Sequence, residues 1–507
     1  MKLMIKKSQT IIFTLLNLSF CLAFAQDVSI SADQGMYVAP NNLGTLTVEP
    51  GVTIQASIGQ PGISSYYSIE TINNYGSVHG FGLIGDIYTS QPITTFNNAQ
   101  TTGSSRTFLW EGILPTNYNV IIQSPSNYGQ LDLWAAASSG STSFGIAAGS
   151  IVARGTYQSV LQNFTPGFLN NTSGTYNGFS WTLVNSSYGT WDLVVSGASS
   201  ADTLASMTPN ASALRGAFIQ QSAIINNGLS YDCTTFDAKG ICVSAGGRVT
   251  DANNPSTNSQ GALLIASYRA NDNWRIGGYL DQNLSSNDPR GVNLENNNPM
   301  AGVFAVWNQN TNGTGYQVRV AAGYSDKDVT ISRSAFGATG EAGKGDSSLR
   351  TQAYSATVSR GIQLNDSRWI ASPYVGVRYT KIKRAGYTED SDVTAPLTYS
   401  GLSQETTTAL AGVRFNGQLA EKVNVMASVG VESDIAHNTG DYAATGVNDL
   451  TPITFNHNIR HVRPVAQAGV SYAIDKRQTV SANLLYRQEA FNSSYSTTGM
   501  VTYQVGF

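Results

Sequence analysis

The sequence predicts an all-β protein whose C-terminal part, from about Leu229 to Phe507, is a 12-stranded antiparallel transmembrane β-barrel. Three observations predict it. Roughly ten-residue stretches recur in which apolar and polar side chains alternate. Short and long connections alternate between them. Tryptophans gather at one end of the stretches, as amphipathic rings do at a membrane boundary.

Composition agrees with an exported β-rich chain. The 507 residues suggest two or three units at about 150 residues each. Only 12% of them are charged, with 50 glycines and 25 tyrosines, against about 25% charge in an average soluble domain. At the start, Lys2, Lys6 and Lys7 precede an apolar run from Ile11 to Phe24 that ends in Ala23-Phe24-Ala25. This is the build of a secretory signal peptide over residues 1–25, cleaved between Ala25 and Gln26. A membrane anchor would need about 20 apolar residues, and this shorter run contains Asn17 and Ser19.

Residues 26–198 hold short β-branched and aromatic runs punctuated by Gly and Asn, among them TFLWEGI, YNVIIQ, YGQLDLWA, FSWTLV and TWDLVV. No strict repeat can be counted, so a solenoid is expected in outline only. From Gln26 to Ser200 there are eight acidic residues, two arginines and no lysine. Such a segment offers no basic footing for nucleic acid or an anionic lipid surface.

Residues 199–228 read as a linker and a helix. Thr208 is the expected N-cap, Pro209 falls in the first turn and Gly228 lies just past the end. About 18 helical residues reach roughly 27 Å, close to the roughly 25 Å apolar height of a barrel. The small residues Ala211, Ser212, Ala213, Gly216, Ala217, Ser222 and Ala223 suit a narrow bore already lined by its own strands. Gly197–Met207 is expected as an extended thread.

Twelve alternating stretches then lie near 241–250, 260–270, 273–284, 300–308, 315–326, 350–360, 369–383, 404–417, 421–435, 457–474, 478–488 and 498–507. In the fifth, Tyr316, Val318, Val320, Ala322 and Tyr324 share one face. A soluble sandwich alternates too, so the connections decide. They are short after the even-numbered strands and long at 285–299, 327–349, 384–403 and 438–456, the pattern of an even-stranded barrel with both ends in the periplasm. Trp274, Trp307 and Trp369 all fall on the short-turn side. Arg248, Arg275, Arg319, Arg378, Arg414, Glu432 and Arg487 face inward, either solvated in a wet lumen or gripping an inserted segment.

Removing the signal peptide leaves Cys233 and Cys242, an even number in a compartment that permits disulfides, and they are expected to bond. A zinc site would need about four ligands and no histidine is near in sequence. A Ser-His-Asp hydrolase needs a base beside its nucleophile. His79 is the only histidine of residues 26–198, with no G-x-S-x-G beside it. Gly345-Asp346-Ser347-Ser348-Leu349 resembles an esterase motif but is placed in the longest predicted loop. His457 and His461 are expected on one strand face near His437, and Glu389, Asp390 and Asp392 as loop charge. No catalytic residue, metal ligand or cofactor is assigned, and the chain is read as no enzyme.

Taken together, the sequence resembles the monomeric (type Va) autotransporters of type V secretion: signal peptide 1–25, passenger 26–198, linker and pore helix 199–228, and translocator 229–507. The closing MVTYQVGF is similar to the family's assembly signal, with Val501, Tyr503 and Val505 on one face and Phe507 last. The resemblance implies a barrel placed in the outer-membrane bilayer by the β-barrel assembly machinery, with periplasmic chaperones, and a passenger carried to the cell surface through it. An adhesive or structural passenger facing an unknown surface receptor is the default. The alternatives are a porin-like channel with an N-terminal domain, or a hydrolase passenger. Some autotransporters cleave themselves between two asparagines of the pore helix. Asn226-Asn227 stands at the corresponding end, although Asn-Asn recurs elsewhere and the flanking family pattern is absent.

Overall fold

The computed structural model describes residues 25–507 apart from 42, 82–84, 102–107, 365–367, 391 and 458. The expected signal peptide therefore lies, but for Ala25, outside the described residues, and Gln26 opens the first strand, Gln26–Ile30. The chain divides into two units close to Val195.

The first unit is a solenoid of short parallel strands. One parallel ladder runs Gln26–Ile30, Leu43–Val48, Ile69–Asn74, Ile93–Asn98, Asn117–Val120 and Ser143–Ile146. Isoleucines, Phe96, Trp110, Tyr118 and Phe144 are sealed inside, and Phe96 meets Trp110 at 5.0 Å between ring centroids. Offset and tilted contacts of this kind add to area burial. Polar ladders run across the strands: Asn119 donates to Asn97 (2.9 Å) and Asn97 to Asn73 (2.7 Å), while Asn74 donates to Asn98 (3.0 Å). These partners stand 22 or 24 residues apart in sequence, and Asn73 donates to Thr47 across 26. This uneven rung length is why no strict period is legible. Antiparallel pairing of Gly155–Gln162 with Thr190–Ser196 ends the parallel stack.

The second unit is a closed barrel with a helix inside. Its strands are β1 (Ile241–Ala252), β2 (Thr257–Arg269), β3 (Trp274–Asn287), β4 (Met300–Asn308), β5 (Gly315–Arg333), β6 (Gly343–Gln363), β7 (Trp369–Arg384), β8 (Leu402–Ala420), β9 (Val423–Thr439), β10 (Val462–Ala473), β11 (Gln478–Gln488) and β12 (Tyr495–Gly506). They account for all but one strand, Val292–Leu294, of a 13-stranded sheet. Antiparallel neighbours pair throughout, and β12 pairs back onto β1 from Cys242↔Gly506 to Ala252↔Ser496. Closure leaves no strand edge for lipid to meet. The faces follow the expected parity, with Ile276, Val303, Val375, Val429, Leu484 and Val501 outward and exposed. Trp274 pairs with Trp307 at the short-turn end, and Trp369 opens β7 there.

Two expectations are corrected. The helix, α1, spans Ser200–Gly228 and starts eight residues before Thr208, so Ser200–Met207 is helical rather than an extended thread. Ser199 is its N-cap, accepting from the Asp202 N–H at 3.3 Å, and Asp202 suits the positive end of the helix dipole. Pro209 stands inside it and forgoes one backbone donor, a cost of about 3 kcal/mol in an exposed helix. Here the flanking turns are held by burial, Met207 and Leu214 being fully enclosed. Its 29 residues reach about 43 Å, well beyond the apolar band.

The long loop expected at 327–349 is mostly sheet. Strands β5 and β6 stay paired from Gly315↔Gly361 up to Arg333↔Gly343, leaving only 334–342 as loop. With 19 and 21 residues, they exceed the roughly 9–11 needed to cross a bilayer. Their upper parts form a wall above it. Asp328, Ser332, Lys344 and Asp346 face out there, while Lys327, Val329, Ile331, Arg333 and Leu349 face in.

Candidate functional site

The candidate site is the bore and the helix that fills it. At the long-loop end, Thr339 donates backbone N–H and Oγ1 to the Asp202 carboxylate (both 3.0 Å), and the Ser199 N–H donates to Thr339 Oγ1 at 3.0 Å. The loop 334–342 thus clasps the first turn of α1. One turn on, Arg333 donates to Ser206 Oγ at 3.0 Å and is bound bidentately by Glu389 at 2.8 and 2.7 Å. Glu389 was read from sequence as loop charge; it is buried, because the extended β5 brings a guanidinium to it.

Around this clasp an apolar vault closes on the helix. Met207, Leu214, Phe218 and Ile219 pack with Val329, Leu349, Leu397, Leu402 and Phe455, and Phe218 meets Phe455 at 5.0 Å. Tyr387, Tyr399 and Tyr442 stack at 4.6 and 5.1 Å beside Arg384. Burial, and then the neighbouring phenol of Tyr442, holds the Tyr387 and Tyr399 hydroxyls far above the usual phenol range, so the stack is neutral at any physiological pH. Gly216 is needed where the helix passes between two prolines: a Cβ would sit 2.7 Å from the rings of Pro255 and Pro289.

Deeper in the bore, contacts turn polar. Ser222 donates to Glu489 (2.9 Å), Thr380 to Asn226 Oδ1 (2.9 Å), Asn227 Nδ2 to Thr498 (2.8 Å) and Arg487 to Asn227 Oδ1 (2.8 Å). Asn226 and Asn227 are buried in the last turn, with both amides engaged. Glu432 gathers Arg378 and Arg487, and Asp434 binds Arg463. Below the helix, Arg319 donates to the Leu229 carbonyl at 3.1 Å, and Asp232 takes Arg275 (2.7 Å) and Arg319 (3.0 Å). Arg248 is paired with Asp281 at 2.7 Å, and Tyr231 donates to Asp281 at 3.0 Å.

Of the inward arginines singled out in the sequence, Arg319 and Arg487 grip the inserted segment directly. Arg248, Arg275 and Arg378 act in ion pairs, and Arg414 lies over the Tyr374 ring. Asp232, Asp281 and Glu489 were missed, since a single carboxylate in a turn or strand carries no pattern until its guanidinium or hydroxyl partner is known. Cys233 and Cys242 are disulfide-bonded with a Cα–Cα distance of 5.8 Å, tying the base of α1 to β1.

The remaining candidates separate. Gly345-Asp346-Ser347 lies in β6, where Asp346 accepts from Thr330 at 2.7 Å and Ser347 donates to the Ala385 carbonyl at 2.7 Å. His457 and His461 precede β10 instead of sharing a strand face, because the sheet begins only at Val462. His437 sits in β9 beside Asp434 at 3.6 Å. At the other end of the barrel, Val501 and Tyr503 are exposed on the outer face, in register with β1 and β11, and Phe507 follows the strand, exposed and with its N–H donating to the Ile241 carbonyl at 2.8 Å.

Residues 244–484 match the family described as autotransporter beta-domain. Two curated relatives, both described as esterase EstA, come from Pseudomonas aeruginosa and Pseudomonas putida. Each is 26% identical over 188 residues, which cover 36% of this chain and 29% of theirs. The chain thus spans under a third of the length of the curated relatives it matches. Among solved structures, the translocator domain of autotransporter NalP from Neisseria meningitidis is 18% identical with a TM-score of 0.42, covering 61% of this chain and all of that one. The beta domain of the Bordetella autotransporter BrkA is 18% identical with a TM-score of 0.38, covering 54% of this chain and all of that one.

Proposed function

With residues 244–484 an autotransporter β-domain in the outer membrane, we propose that this protein carries its own residues 26–198 to the cell surface and holds them there as an adhesive or structural solenoid. One observation carries the reading: α1 runs lengthwise through the bore, clasped at Ser199 and Asp202 by a loop of the long-loop end and tied below by the Cys233–Cys242 bond. The chain preceding Ser199 therefore leaves the barrel on the long-loop side, which faces outward when the short turns and the tryptophans face the periplasm.

Retention follows from the same contacts. The helix is fixed by the clasp, the vault and the Asn226 and Asn227 amides, so the persistent form is the chain without residues 1–25. Export needs the outer-membrane assembly machinery and periplasmic chaperones that such barrels use, and the solenoid would meet its receptor outside.

The test is protease shaving of intact cells. Digestion should remove the solenoid and leave barrel and helix in the membrane, while cells lacking the protein should lose attachment or aggregation. A solenoid protected until the outer membrane is opened would instead support a porin-like channel with a periplasmic domain. A barrel fragment beginning at Asn227 would support self-cleavage. A second reading, ester hydrolysis by the passenger, is favoured by the EstA relatives. Turnover of a short-chain nitrophenyl ester that is no greater with unshaved than with shaved membranes would reject it.

A further inference from the structure

The filled upper bore gives way to a hollow. Beneath the last turn of α1 a cavity of about 790 Å³ reaches residues of the short turns, Asn312 and Arg368 among them. Four arginines line it: Arg275, Arg319, Arg368 and Arg414. Asp232 is the one carboxylate lining it among the described residues, and Arg275 and Arg319 already share it. Arg414 has no carboxylate partner among the described residues and stacks over Tyr374 at 5.8 Å. The rest of the wall is uncharged: amides and hydroxyls such as Gln467, Asn483 and Gln504 beside apolar Ile265, Met426 and Met500.

This differs from the bore above, where Arg248, Arg333, Arg378, Arg463 and Arg487 each meet a carboxylate. Arg384 and Lys327, the buried cations above that lack a carboxylate, are held by backbone carbonyls, and Arg384 also by the Tyr387 ring, so it is at the periplasmic mouth that guanidinium groups outnumber carboxylates around an open cavity. A recess with low-dielectric walls and one sign of charge concentrates its field and raises the local concentration of the opposite charge. Leaving a guanidinium unpaired there is unfavourable until an anion enters.

The chain that must pass this mouth is itself acidic. Residues 26–198 hold eight carboxylates and two arginines, with no lysine. We propose that the arginine-lined mouth is an electrostatic entry filter for the protein's own passenger. Carboxylates of the extended chain exchange between guanidinium groups as it moves outward, whereas a lysine-rich chain is held back. The proposal rests on the export reading above and adds what selects the cargo.

The experiment uses the full chain in cells. After a labelling pulse, the time for residues 26–198 to become accessible to external protease is followed, and barrel assembly is scored separately by heat-modifiable gel mobility. Arg414→Gln should slow exposure, and Arg414→Glu should slow it further, at least about threefold, with the barrel assembled in both. A passenger made less acidic by Gln55→Lys, Glu70→Lys and Thr94→Lys, all at exposed positions, which leave seven carboxylates against five cations, should be slow in the unaltered barrel and regain speed in the Arg414→Glu barrel. That crossover is the signature of charge, since a merely structural defect would slow both passengers alike. Exposure at the unaltered rate in Arg414→Glu, or equal slowing of both passengers, overturns the filter. A native passenger that never becomes accessible on intact cells overturns the export reading instead.

Discussion

In the solenoid Phe96, Trp110 and Tyr118 are sealed inside while Asn73, Asn97 and Asn119 form a ladder on the other face of the strands. In the barrel the order is inverted: Val375, Val429 and Leu484 look outward and the buried side of the sheet holds Arg248, Arg378 and Glu432. Both use the same two-residue alternation. What differs is the medium each apolar face can reach, other rungs of the same coil in one case and lipid in the other. Buried charge needs partners in both: the solenoid holds Asp86 with the backbone N–H groups of Gly80 and Leu109, whereas the wide closed barrel brings carboxylate and guanidinium together from different strands.

The largest effects should come from striking each unit at its own interior. Trp110→Ala should cost the solenoid about 3–5 kcal/mol. Its unfolding transition and protease resistance should fall while the barrel keeps its heat-modifiable gel mobility. Glu432→Leu should leave Arg378 and Arg487 without their carboxylate and lower barrel stability by about 3–5 kcal/mol. The urea midpoint of the gel-mobility shift should drop with the solenoid transition unmoved.

A change of the outer faces sharpens the contrast. Val375→Arg, set toward lipid, should cost up to about 2–4 kcal/mol near the midplane. Ile58→Arg, also at an exposed position but on the solenoid, should stay within about 0.5 kcal/mol. Similar losses in urea titrations of both would remove lipid from the explanation.

Cys242→Ser should cost about 2–3 kcal/mol, since the bond closes a separation of nine residues. A reducing agent should lower the barrel's thermal midpoint in the parent and leave it unchanged in the variant. The smallest change is Asn97→Ala, which removes one member of a half-exposed amide ladder and should cost about 1 kcal/mol in solenoid unfolding.

The sequence by itself determined what depends on local pattern. Strand number, the face each residue takes, the tryptophan end, the inward arginines and the pairing of two cysteines all follow from alternation, turn length and compartment. Tertiary structure alone decided where α1 begins and how high β5 and β6 rise. Pro209 marks a helix start only if the preceding turn is exposed, and it is not, because Met207 is enclosed by a vault built from distant strands. Residues 327–349 look like loop because their outward side chains are polar. They stay in the sheet because Val329, Ile331 and Leu349 cover a helix far away in sequence. Which carboxylate meets which guanidinium was likewise set by strand register, a long-range property that no local window contains.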